Sequence, residues 1–158
     1  NRKTKEELRR LGIARGTASV ELNDRELARI GIEEQVFIAY GYQPVMISAG
    51  CIQKTSASCD GKGGVLSISD RYQKKFAVRR YCRDCYNVMY NSAPLFLADK
   101  AEEVHALAPA ELRLDFTTES SGQVKEICHA YTLAFEKGCK TEPPMQDYTR
   151  GHFKRGVK

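Results

Sequence analysis

EQVFIAYGYQPVMIS, residues 34–48, holds two short apolar runs, Val36-Phe37-Ile38-Ala39 and Val45-Met46-Ile47. Both runs are brief and carry β-branched residues, so both are expected as strands rather than helices. Gly41 and Pro44 punctuate them. Upstream, Asn23 has the chemistry of a helix N-cap, with Asp24 and Glu26 in the first turn where the helix dipole favours acids. A short helix over 24–30 follows from this, stopped by Gly31. Residues 13–22 read as strand-like and residues 2–11 as a charged helix ending near Gly12.

Downstream, the chain changes character over residues 51–91. This stretch is polar, bears cysteines, and is glycine-rich around Gly61, Gly63 and Gly64. Val65 to Ser69 alternates with period two, and Phe76-Ala77-Val78 does so more weakly. The reading is a small strand-and-loop insert that needs a staple, because it offers little apolar surface. Beyond it, residues 94–97 read as a strand and 100–107 as a helix ended by Pro109. Residues 111–117 read as a strand with Leu112, Leu114 and Phe116 on one side. Ser120 or Ser121 then caps a helix running to about Glu136, with Val124, Ile127, Cys128, Tyr131 and Phe135 as its apolar face. Gly138 stops it. The tail from Cys139 is basic and loop-like.

Strands alternating with short helices predict an α/β fold with parallel pairing. A closed eight-stranded barrel takes about 250 residues, and the chain has 158. If the fold is barrel-like, residues 1–158 are the C-terminal part of a (β/α) barrel-like domain. The cysteine-bearing insert at 51–91 lies within it, and the upstream half is missing.

A hydrophobic fraction of 42% supports a core, while the absence of Trp argues against an aromatic-rich binding face. The formal charge of +5 fits contact with an anionic partner such as RNA, although charge alone speaks to association and not to function. No run of about 18 apolar residues occurs, so no membrane span is expected. No charged, then apolar, then small-residue leader is visible, though the chain opens on Asn1 without Met and is read as trimmed. The expected location is the cytoplasm. In that reducing setting clustered cysteines bind metal or do chemistry more often than they form disulfides.

Of six cysteines, four make a constellation. Cys51 and Cys59 have seven residues between them, and Cys82 and Cys85 have two. Two local pairs brought together by a hairpin-like excursion supply four thiolates to one metal centre. Zinc knuckles usually place about two to four residues within a pair, so the longer first gap favours an iron–sulfur cluster over zinc. A redox dithiol is the third reading of the Cys-x-x-Cys pair. Arg79, Arg80 and Arg83 flank Cys82, where cations favour thiolates. These arginines, with Tyr86, Asn87 and His152, are the candidate substrate contacts. Against that, solvated arginines and packing tyrosines give the same pattern. Cys128 reads as a core residue, and Cys139 has no evident partner.

The block from Glu34-Gln35-Val36-Phe37 through Gly41, Pro44-Val45-Met46, Cys51 and Cys59 resembles the collagenase-like peptidase family, also known as peptidase family U-32. Ser69-Asp70-Arg71, Phe76-Ala77-Val78-Arg79, Cys82-Arg83-Asp84-Cys85-Tyr86-Asn87, Tyr90-Asn91-Ser92 and Pro94-Leu95 continue the likeness, as does the tail Thr149-Arg150-Gly151-His152-Phe153-Lys154-Arg155-Gly156. The resemblance implies a barrel-like catalytic region with a 4Fe–4S cluster on four cysteines. It also implies oxygen-independent hydroxylation of RNA, nearest the ribosomal-RNA branch, with prephenate as co-substrate. Many members have six residues in the first cysteine gap. Gly41-Tyr42-Gln43-Pro44 replaces the commoner run of glycine, small residue, apolar residue and cysteine.

Three functions compete. The first is an iron–sulfur enzyme of ribosomal or transfer RNA modification. The second is a peptidase acting on a peptide substrate, as the family label says. A cysteine or serine peptidase needs a nucleophile with a histidine in reach. His105, His129 and His152 are the only histidines, and none is placed by spacing for that role. Cys128 and His129 point about 100° apart on a helix, and no His-Glu-x-x-His motif occurs. Catalytic residues therefore stay unassigned. The third is a zinc-stapled, non-enzymatic binding module. As a fragment the chain is expected to be inactive alone.

Overall fold

The computed structural model describes residues 1–13, 15–56 and 58–156. In chain order the elements are α1 (Arg2–Arg10), β1 (Gly16–Thr17), α2 (Asp24–Ile30), β2 (Gln35–Gly41), β3 (Pro44–Ser48) and α3 (Ile52–Ser56). They continue with β4 (Gly64–Ser69), β5 (Lys75–Tyr81), β6 (Tyr86–Tyr90) and β7 (Leu95–Phe96). A 3-10 turn then leads into α4 (Ala101–Ala106), β8 (Glu111–Asp115) and α5 (Ser121–Phe135). The chain divides into two compact units, residues 1–41 with 95–158, and residues 42–94.

The first unit is mixed α/β. β2 pairs in parallel with β1 at Gln35–Val36 and with β8 along Val36 to Gly41, and antiparallel with β7 at Tyr40–Gly41. Because β8 runs along one edge of β2, β1 and β7 share the other edge at opposite ends. The expected parallel pairing is present, joined by one antiparallel pair. Asn23 caps α2 through a reciprocal box with Glu26, each bond 2.9 Å. Ser120 and Gln123 do the same for α5. These boxes satisfy backbone N–H groups that a helix start leaves without partners.

The core of this unit gathers Leu27, Ile32, Tyr40, Phe96, Leu97 and Val104 against α5. Tyr131 is the polar tie: its hydroxyl donates to the Ala39 carbonyl at 2.6 Å and accepts from the Leu97 amide at 2.9 Å. Burial pushes this phenol well above its usual range. Gly41 meets β8 closely, since a Cβ there would lie 2.5 Å from the Asp115 carbonyl oxygen at φ +140°.

Two expectations fail here. Among the described residues of 13–22, strand is confined to Gly16–Thr17, and Ala18 makes the last ladder bond to β2, to the Val36 carbonyl. Cys128 is exposed. The buried stripe of α5 is Ile127, Ala130, Tyr131 and Ala134, so Ile127 and Tyr131 of the expected face are buried, while Ala130 and Ala134 take the place expected for Cys128. The tail is loop-like as expected, with no helix or strand among its described residues, yet it packs onto the core. Phe153 is buried edge-on to Phe37, and its carbonyl accepts from the Asp24 amide.

The second unit is a four-stranded antiparallel sheet in the order β3-β6-β5-β4. β4 and β5 form a hairpin whose turn is organised by Asp70, accepting from the Tyr72 and Lys74 amides at 2.8 and 2.9 Å. β5 and β6 form a second hairpin, closing at the Tyr81–Tyr86 pair. Both α3 and β6 lie in residues expected only as insert. Val78, Val88 and Tyr90 are its buried apolar side chains. Among the described residues, no helix of either unit is long and apolar enough to cross a membrane.

Candidate metal centre

Cys82-Arg83-Asp84-Cys85 is the tip of the β5–β6 hairpin. The Asp84 amide donates to the Tyr81 carbonyl at 3.2 Å, and Cys85 adopts a left-handed φ of 52°. That tight reversal puts two thiols at one hairpin end. Tyr81 and Tyr86 stack at its base, with ring centroids 4.6 Å apart and planes 7° from parallel.

The other two thiols come from the segment between β3 and β4. Cys51 opens α3, its carbonyl accepting from the Thr55 amide. The turn before it is fixed twice. The Ser48 hydroxyl accepts from the Gly50 amide at 3.1 Å, and the Asn87 side-chain amide donates to the Gly50 carbonyl at 2.7 Å. Cys59 lies on the loop beyond α3, which folds back so that the Cys82 thiol meets the Lys62 carbonyl at 3.2 Å.

Cys51, Cys59, Cys82 and Cys85 line one pocket of about 50 Å³, together with Lys54, Arg80, Tyr81, Tyr86 and Asn87. That exceeds the ~10–15 Å³ a single water occupies. All four thiols are free. Partial burial pushes the Cys82 thiol above its usual range. Arg80 pulls it down, while Cys59, Cys51 and Asp60 push it further up. The expectation that flanking arginines would leave a net downward shift is therefore reversed for Cys82. Among the described residues, no group of three or more His, Cys, Asp or Glu side chains is placed to hold a metal ion.

The floor of the pocket is a cross-strand row. Ser48, Asn87, Arg80 and Gly64 stand opposite one another across β3, β6, β5 and β4, so they share one sheet face. Gly64 has no side chain, and the Arg80 Nη2 passes within 3.6 Å of where its Cβ would be. Arg80 is 9% exposed. Its Nη1 donates to Gln53 at 2.7 Å and to Asp60 at 3.2 Å, while its buried Nε has no acceptor.

The candidate substrate contacts thus separate. Arg79 and Arg83 are exposed, with Arg79 over the Tyr81 ring at 5.5 Å. Arg80 instead turns into the cysteine pocket, partly buried and with its Nε shielded from solvent. Asn87 is 3% exposed and holds the Cys51 turn. Tyr86 walls the pocket. His152 belongs to the other unit, its Nδ1 3.0 Å from the Gly156 carbonyl. His105 is engaged by Phe135, and no hydrogen bond among the described residues joins a histidine to a cysteine. The sequence reading missed the Ser48–Asn87–Arg80–Gly64 row. Its one readable signal was a polar residue two positions from Val78 on the same strand.

Four thiols lining one pocket are the donor types that a thiolate-bound metal group uses. Four thiolates on a divalent ion or a cubane cluster leave a net negative charge. A buried guanidinium with an unsatisfied donor is the complement such a charge needs. Separately, Lys100, Arg150, Lys154 and Arg155 of the first unit line an open dish of about 590 Å³. Arg150 is held by Asp99, Lys154 by Asp24 and Glu103, and Lys100 by Glu103. Arg155 has no ion-pair partner among the described residues. No family model, curated protein or solved structure matches the chain.

Proposed function

We propose that this chain is part of an iron–sulfur enzyme of RNA modification, of the U-32 type its central block resembles, with a 4Fe–4S cluster on Cys51, Cys59, Cys82 and Cys85. One observation carries the reading: four free thiols from two separate loops face one pocket floored by a buried, under-satisfied arginine. Reducing conditions, as in the cytoplasm, keep such thiols available. When bound, the cluster supplies electron transfer or an open iron for an oxygen-bearing substrate.

The chain's own residues do the rest. Asn87 fixes the turn carrying Cys51. The hairpin reversal presents Cys82 and Cys85 together. The stacked Tyr81 and Tyr86 rings form one wall of the pocket. Arg150, Lys154 and Arg155 offer cations to RNA phosphates, since basic side chains supply most nucleic-acid affinity. Prephenate as co-substrate rests on the resemblance. The first unit is read as the later part of a (β/α) barrel. Parallel β2 and β8 support that, as does the departure of residues 42–94 from the carboxyl end of β2, where barrel enzymes build their sites.

Anaerobic iron and sulfide analysis tests the reading. Wild-type protein is expected to hold about four of each per chain, and each of C51A, C59A, C82A and C85A to lose most of both. One zinc per chain without sulfide would favour the stapled binding module instead. Cleavage of a defined peptide by metal-free protein, lost on one nucleophile substitution, would favour the peptidase.

A further inference from the structure

Arg80 is out of place as a surface cation. Arg79 and Arg83 are exposed, yet Arg80 lies on the same face of β5 as the fully buried Val78. Burying a guanidinium is costly unless its charge and its five donors are met. Here Nη1 has two acceptors, Gln53 and Asp60, and Nε has none. Asp60 is itself largely open to solvent, at 43% exposure, so it compensates the charge only partly. All four candidate ligands line the same pocket as the guanidinium, with Lys54 as a second cation there. Gly64 clears the space opposite, and Gln53 on α3 clamps the guanidinium from the loop that carries Cys51 and Cys59.

We infer that Arg80 is the charge-compensating positioning residue of the metal centre: its buried Nε–H donates to a sulfur of the bound group, and Asp60 sets how much of its charge the centre feels. This rests on the iron–sulfur reading. A cation held beside a cluster favours the reduced, more negative state, so Arg80 raises the reduction potential and Asp60 offsets part of that rise. Arginine suits the task better than lysine, because its fork serves Gln53 and Asp60 with one nitrogen and leaves Nε–H for sulfur.

The test is the midpoint potential of the anaerobically prepared protein, with iron and sulfide content measured alongside. R80M should take up the cluster and shift to a more negative potential. R80K, which keeps charge without the Nε–H, should shift the same way by less. D60N should shift to a more positive potential. The opposed signs matter, since loss of a merely structural contact would not move Arg80 and Asp60 variants in opposite directions. If R80M fails to fold, D60N decides: a positive shift supports the assignment, and no shift or a negative one overturns it. Unchanged potentials in R80M and D60N overturn the role of Arg80 while leaving the cluster in place. Wild-type protein that takes up no iron and sulfide overturns both.

Discussion

The two units are held together by different physics. Every member of the large hydrophobic cluster, from Ala18 to Phe153, belongs to residues 1–41 and 95–158. The unit of residues 42–94 buries Val78, Val88 and Tyr90, and with them the polar Asn87. Its edge strand β3 leaves Val45, Met46 and Ile47 at least half exposed. One unit is stabilised by apolar burial; the other has a hydrogen-bonded ladder and little core. A module with so little core needs a staple, and four thiols on one pocket are the means of making one. On the proposed reading, the group that supplies the chemistry would also close the fold.

The sharpest way to break this contrast is to remove the metal. Metal binding to such a site is folding free energy. The cysteine variants, or chelated protein, should lose amide-exchange protection in β3 to β6 by on the order of a hundredfold or more. Protection of β2, β8 and α5 should hold. Equal loss in both units would erase the distinction. Next in size, Phe96→Ala empties a fully buried site in the first unit and should cost about 3–5 kcal/mol, read by denaturant unfolding. Iron uptake by the other unit should change little.

Gly41→Ala sharpens the comparison at the carboxyl end of β2. The added Cβ would press on the Asp115 carbonyl at a left-handed φ, with an expected cost of roughly 1–3 kcal/mol. The smallest effect belongs to the tail. Asp24 is held below its usual range chiefly by the hydrogen bond from Lys154. A depressed carboxylate stabilises the fold above its unfolded pKa of about 3.9, and that gain is lost as pH falls through the lower folded value. Lys154 is 40% exposed, so solvent screening limits the pair to about 0.2–1 kcal/mol. Asp24→Asn should show that deficit at pH 7 and none well below pH 4.

Much of the fold was legible because its signals are local. The Asn23–Glu26 and Ser120–Gln123 boxes mark helix starts within four residues, and the alternation of Val65 to Ser69 marks a strand. What escaped depended on tertiary partners. β6 was hidden because it buries the consecutive Asn87 and Val88 together with Tyr90, rather than an aliphatic alternation. α3 has only five residues and no apolar period. Cys128 was placed inside because bulky residues drew the stripe, whereas Ala130 and Ala134 take its place on the buried face. At the candidate site the four cysteines were legible as a set. Arg80 was not, because three nearby arginines look alike in sequence. Only the pairing of Gly64, Arg80 and Asn87 shows which one turns inward.

X-ray absorption at the iron edge of the anaerobically prepared protein tests the central claim most directly. The account predicts iron with an all-sulfur first shell and iron neighbours behind it, losing the iron neighbours in each of the four cysteine variants. Iron bound through nitrogen or oxygen, or metal uptake indifferent to Cys51 and Cys59, would contradict it.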